Sequence, residues 1–243
     1  MINQIGAIVL AAGQGKRMGA INRNKVVFTL KGKPMIAHTI QLLKNLAIDD
    51  IIVVIGFAKE SVKNVLKESV VYAEQEIQKG TADAVRIGVQ KLNSEIAHVL
   101  VLNGDDSAFY KKETVEKLIC KHLETNAQAT FLTTIRTDIE GIGRIVRTNG
   151  GKLVKIVEEK DATVKEKKIN EVNVGCYMFQ VSFLKSYVPR LGKSEVTGEF
   201  YLTSIIDMAL QDGLLIETVV EPDLIWYGIN TQNDLEKAEN FLI

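Results

Sequence analysis

Scarcity says the most about this chain before any motif is read. Its 243 residues include only 2 cysteines, 3 prolines and 3 histidines. Cys120 and Cys176 have no second cysteine nearby, so neither a C-x-x-C pair nor a disulfide framework is available, and buried free thiols are expected. His38, His98 and His122 are scattered, and no His or Cys stands at metal-ligand spacing, which argues against a zinc site. No G-x-S-x-G elbow appears, so the parts of a hydrolytic triad are missing. Charge of one sign is lacking too, because 30 Lys+Arg balance 30 Asp+Glu. Without a basic surplus, a nucleic-acid partner has no electrostatic support, and any anion site must be local and concave. The longest apolar runs are too short to span a membrane, and no leader pattern opens the chain, so a cytoplasmic protein with no membrane partner is expected. With 46% hydrophobic and 25% charged residues, the composition is that of an ordinary folded chain.

What is present is organised around Ile5–Lys25, IGAIVLAAGQGKRMGAINRNK. A short apolar run ends in small residues and then in Gly13-Gln14-Gly15-Lys16-Arg17, the order of a buried strand entering a phosphate-handling turn. Lacking a Cβ, Gly13 and Gly15 are free to take positive φ and turn successive N–H groups toward one anion, while Lys16, Arg17 and Lys25 add cationic charge. The spacing is neither that of a Walker loop nor that of the dinucleotide fingerprint.

Downstream, strands and helices alternate. Helical spacing predicts helices over 34–46, 59–68, 81–92 and 111–126. Apolar runs predict strands over 51–55, 70–73, 98–102 and 128–135. The third run ends in Asn103-Gly104-Asp105-Asp106, which places acidic residues at the carboxyl edge of a parallel sheet, where α/β folds bind ligands. From Gly143 the period changes to an alternating ribbon around Asn149-Gly150-Gly151, an antiparallel flap. The charge-dense stretch 158–168 reads as a connection. A strand over 169–179, a helix over 197–210 capped by Thr197, a strand over 215–220 and a helix over 231–241 follow. The expected fold is a doubly wound, mostly parallel, Rossmann-like α/β sheet with a small antiparallel flap, in one domain spanning residues 1–243.

In order along the chain, these segments resemble the sugar-1-phosphate nucleotidyltransferases, most closely the uridylyltransferase half of the bifunctional bacterial enzyme that makes UDP-N-acetylglucosamine. LAAGQGKRM followed by Lys25 resembles the family's triphosphate signature, which assigns Leu10, Ala11, Ala12, Gly13, Gly15 and Lys25 to the nucleotide. QKGTADA resembles its uracil-reading segment, with Gln78, Gly80 and Thr81 at the base. NGDD supplies Asp105 and YGIN supplies Asn230, the pair that the resemblance makes Mg²⁺ ligands. GIGRIVR, IVEEKDAT and EVNVG put Gly143, Glu158 and Asn173 at the sugar, alongside Asn230. Residues 1–135 would then bind UTP and 136–243 a sugar-1-phosphate.

The resemblance implies attack by a sugar-1-phosphate oxygen on the α-phosphorus of UTP, with Arg17, Lys25 and Asp105 as the catalytic residues. Two departures stand out. Asn24 replaces the proline that the family usually places before its lysine, which predicts a less rigid approach to Lys25, and Asp106-Ser107-Ala108 replaces an apolar, proline-containing segment. No counterpart of the family enzyme's hexapeptide-repeat acetyltransferase half is present, so no acetyl transfer is expected of these residues. Another nucleotidyltransferase, a glucose-1-phosphate uridylyltransferase or a cytidylyltransferase, and a non-catalytic nucleotide-sugar-binding regulatory module are the alternative readings.

Overall fold

The computed structural model describes residues 4–241. The strands are β1 (Ile5–Ala11), β2 (Thr29–Leu30), β3 (Lys33–Pro34), β4 (Ile51–Ile55), β5 (Val71–Glu74), β6 (His98–Asn103), β7 (Ala129–Ile135), β8 (Arg144–Arg147), β9 (Leu153–Val157), β10 (Glu171–Gln180) and β11 (Ile216–Val220). The helices are α1 (Met35–Asn45), α2 (Lys59–Leu66), α3 (Thr81–Val89), α4 (Lys112–Thr125), α5 (Val181–Tyr187), α6 (Ser204–Gln211) and α7 (Gln232–Phe241).

The main sheet runs β11-β7-β10-β6-β1-β4-β5. All its pairings are parallel except those of β10, which is antiparallel to both β6 and β7. β4 explains why the sheet forms, because its five residues are all buried, with Ile51, Val53 and Ile55 in one core and Ile52 and Val54 in the other. A strand covered on both faces needs no polar alternation. Helices α1, α2 and α4 cover one face through Ile36, Leu43, Val62, Val115 and Leu118. Across the sheet, α3, α5 and α6 cover the other through Val85, Phe183, Leu184 and Ile205. Each such side chain contributes about 1.5–3 kcal/mol on burial, far more than an exposed pair such as Lys63–Glu60. The doubly wound expectation therefore holds. The flap is the β8–β9 hairpin, joined to the main sheet where Arg144 pairs with Val172, and β2 and β3 form a second, two-stranded sheet.

Several local expectations are corrected. Cys176 is buried, but Cys120 is exposed on α4, where its position in an apolar pattern falls on the solvent side. Helix α6 starts at Ser204, and residues 197–203 are not helical. That stretch instead docks against the loop before α3: Phe200 N–H donates to Lys79 O at 2.8 Å, Ala82 N–H to Phe200 O at 2.9 Å, and Leu202 N–H to Thr81 Oγ1 at 2.9 Å. Thr197 caps no helix, and its hydroxyl donates to Tyr201 Oη. Gly13 lies outside the positive-φ region, whereas Gly15 is in it at φ 58°. For residues 197–203 the deciding partners, Lys79, Thr81 and Ala82, are remote in sequence, and no local pattern reports them.

The scattered histidines are not all isolated. His98 Nδ1 and His122 Nε2 lie 3.1 Å apart, and His122 Nδ1 lies 3.0 Å from Thr130 Oγ1. Among the described residues no cluster suited to a metal accompanies them, and no helix is long and apolar enough to cross a membrane.

Two predictions follow from this packing. Burial, with His98 adding to it, lowers the His122 pKa from 6.5 to about 4, so the folded chain binds fewer protons than the unfolded one between those values. The stability contribution is present above about pH 6.5 and is lost as pH falls through about 4, by up to about 3 kcal/mol at 1.36 kcal/mol per unit. Thermal melts across this range should show a shallower slope for His122→Gln, and an unchanged slope would assign acid sensitivity to other groups. The second concerns Gly80, at φ 117°, where a Cβ would lie 2.5 Å from Phe200 O and 2.7 Å from Phe200 N. Gly80→Ala should lower the unfolding free energy by about 2 kcal/mol in urea titrations. No change would mean that the loop can slide away from residues 197–203.

Candidate active site

The carboxyl ends of β1, β4, β5, β6 and β7 all open on one edge of the sheet, which the antiparallel β10 enters with its first residues. Above that edge lies a cleft of about 820 Å³. Every candidate from the sequence lines it, from Leu10 through Arg17 and Lys25, Gln78, Gly80, Thr81 and Asp105, to Gly143, Glu158, Asn173 and Asn230.

At its centre the Lys25 ammonium pairs with Asp105 Oδ2 and donates to Ile229 O at 2.8 Å and to Asn230 Oδ1 at 3.4 Å. Three hard oxygens therefore surround one positive charge, so the donor set suits an oxygen-coordinated divalent cation. Asn230 is available for this because it does not cap α7. That helix is capped by a reciprocal pair, with Thr231 N–H donating to Asp234 Oδ2 at 2.8 Å and Asp234 N–H to Thr231 Oγ1 at 3.1 Å. Arg136 steadies the same segment, donating to Trp226 O and lying over the Tyr227 ring at 4.8 Å.

Lys25 is placed by its neighbours. A Cβ on Gly15 would stand 2.7 Å from Lys25 Cβ, so the left-handed glycine is what lets the turn approach the lysine. Asn24 corrects the expectation of a looser approach. It is 1% exposed, with φ −68° in the range a proline ring enforces, and its side chain accepts from Val26 N–H at 3.1 Å. Arg17 is exposed at the mouth of the cleft, near Gly141.

Toward the flap, Glu158 accepts from Thr203 Oγ1 at 2.7 Å, and burial raises its pKa above the ordinary carboxylate value. Asn173 Nδ2 donates to Tyr177 Oη, and its Oδ1 accepts from Gly175 N–H at 3.2 Å. Toward α3, Gln78 donates to Gln75 O at 3.2 Å, and buried Gln75 donates to Asp83 Oδ2 at 2.9 Å.

Asp106 is 4% exposed and takes Asn103 Nδ2 at 3.2 Å on one oxygen. Burial first, and the Asp105 charge second, push its pKa well above the ordinary value, which favours the neutral acid. Thr203, Tyr177 and Gln75 are cleft residues that the sequence reading missed. Alternation along β10 carries a signal for Tyr177, but the other two are set only by tertiary contacts.

Three comparisons with known proteins bear on the family of the chain. A model of the nucleotidyl transferase family matches residues 6–243. The chain is 39% identical over 231 residues to the Bifunctional protein GlmU of Carboxydothermus hydrogenoformans and 40% identical over 237 residues to that of Clostridium beijerinckii. These matches cover 95% and 97% of the chain, which spans about half the length, 51%, of each relative. Among solved structures, a Bacillus anthracis protein assigned as a glucose-1-phosphate thymidylyltransferase, in complex with sucrose, shares the fold at a TM-score of 0.82. That match covers 97% of this chain and 94% of the other, at 24% identity. With the family match reaching almost end to end and the GlmU relatives aligned over the same span, the chain belongs to the nucleotidyl transferase family.

Proposed function

We propose that this chain transfers the uridylyl group of UTP to a sugar-1-phosphate, N-acetylglucosamine-1-phosphate in the first place, and releases pyrophosphate. The observation that carries the reading is the meeting of Lys25, Asp105 and Asn230, drawn from three distant parts of the chain, beside a glycine turn at the sheet edge. The choice of uracil and of an amino sugar rests on the likeness of QKGTADA and IVEEKDAT to the uridylyltransferase segments. Residues 1–135 supply the nucleotide side of the cleft and residues 136–243 the sugar-phosphate side.

In this reaction an acceptor phosphate oxygen bonds to the α-phosphorus of UTP, the bond from that phosphorus to the bridging oxygen breaks, and pyrophosphate carries away the electron pair. The attacking oxygen is already ionised, so no residue has to take its proton. Catalysis then consists of positioning and charge neutralisation. The Leu10–Gly15 turn holds the phosphate chain, while Gln78, Gly80 and Thr81 hold the base. Gly143, Glu158, Asn173 and Asn230 orient the sugar. Arg17 neutralises the leaving pyrophosphate, and Lys25 neutralises the α-phosphate and the incoming acceptor. Asp105 and Asn230 would hold Mg²⁺, which when bound offsets the repulsion between the two phosphates.

The test is pyrophosphate release with Mg²⁺ from each nucleoside triphosphate, paired in turn with N-acetylglucosamine-1-phosphate, glucose-1-phosphate and galactose-1-phosphate. Release is expected from UTP with N-acetylglucosamine-1-phosphate, and Asp105→Ala should abolish it. Another triphosphate or sugar would correct the substrate, and silence from folded, UTP-binding protein would remove the transferase reading. Separately, Lys25→Ala should lower turnover by about 10²–10³ with the melt unchanged. A rate equal to wild type would take Lys25 out of the mechanism.

A further inference from the structure

Asn24 does more than precede Lys25. Its side-chain amide donates to Ala11 O at 2.9 Å, to Gly13 O at 3.3 Å and to Phe57 O at 2.8 Å. Between the first two acceptors, Ala12 O accepts from Phe57 N–H at 3.1 Å. Three consecutive carbonyls are therefore held, two by Asn24 and the one between them by Phe57, whose own carbonyl Asn24 also holds. Each peptide here is trans, so its N–H points opposite to its C=O. The N–H groups of residues 12, 13 and 14 consequently point opposite to these held carbonyls, and residues 12–14 line the cleft. Among the described residues, the Gly13 and Gln14 amides donate to nothing in the chain.

The remaining contacts of Asn24 reach Lys25 and α2. Its Oδ1 takes Val26 N–H and so closes the turn Lys25–Val27 that presents the lysine, and its own N–H donates to Ser61 Oγ at 2.9 Å. One buried residue thus ties together β1, the end of β4, α2 and the Lys25 turn.

We infer that Asn24 is the positioning residue of the triphosphate site: by gathering the carbonyls of Ala11 and Gly13 it turns the amides of residues 12–14 into a phosphate-binding row. The same side chain sets Lys25 beside that row. Proline in this place would keep φ but could offer neither the amide donors nor the N–H to Ser61. The inference rests on the nucleotidyl transfer reading above, because it names the phosphate chain of the nucleotide as what the row receives.

The test compares wild type with Asn24→Ala, using UTP and uridine as probes. Calorimetry should show UTP binding weakened about tenfold or more in the variant, as expected when amides aimed at an ionised group are misdirected. Ligand-observed NMR should show uridine binding within threefold of wild type. In pyrophosphate release, KM for UTP should rise while KM for the sugar phosphate stays within threefold. A second measurement needs no variant: in wild type, UTP should slow amide exchange at residues 12–14 and uridine should not. Equal UTP affinity in a folded Asn24→Ala overturns the inference, and so does the absence of UTP-dependent protection in wild type. If the variant does not fold, the exchange result decides. Wild type that binds no nucleoside triphosphate would overturn the transfer reading as well, whereas wild type that binds UTP no better than the variant overturns only the role of Asn24.

Discussion

A parallel strand has to be covered on both faces, because its side chains are apolar on both and its partners reach it only through crossover helices. That constraint shapes the molecule around β1, which is flanked by β4 and β6, with one core on each side. No polar side chain can be spent inside these strands without a partner, so the chemistry collects where the strands end. Ala11, Ile55, Glu74 and Asn103 end their strands at the same edge. The turns that follow them carry Lys25, Gln78 and Asp105.

Within the cleft, electrostatics is managed locally by a chain that carries no net charge. Lys25 sits against Asp105 and the oxygens of the 229–230 segment, and Asp106 next door is biased toward its neutral form by burial. Histidine is absent from the site, and His122 is instead held by burial far below its usual pKa beside Thr130. The proposed transfer of a nucleotidyl group between already ionised oxygens requires no residue to take a proton.

Much of the fold was legible because its signals are local. Ile51–Ile55 was read with its boundaries, since a β-branched run bounded by Gly56 has few other uses. The candidate residues converge on one cleft because strand ends in a parallel sheet converge, a rule that needs only the order of elements. Where reading failed, the deciding partner was remote in sequence. Residues 197–203 carry helix-forming signals, yet the amide and carbonyl of Phe200 and the amide of Leu202 are taken by Lys79, Ala82 and Thr81. Asn24 looked like a loss of rigidity, and becomes a restraint only because Ala11, Gly13, Phe57 and Ser61 surround it.

The amino-acid sequence alone determined the class of fold, the position of the glycine turn and the set of residues able to neutralise phosphates, because periodicity, small residues and charge are properties of short stretches. Tertiary structure decided that Asn24 holds the carbonyls of Ala11 and Gly13, that Asn230 is released from capping by Thr231 and Asp234, and that Asp106 is buried beside Asp105. Each of these depends on groups brought together by folding, and a hydrogen bond's direction or a carboxyl's charge state is a property of that assembled surrounding.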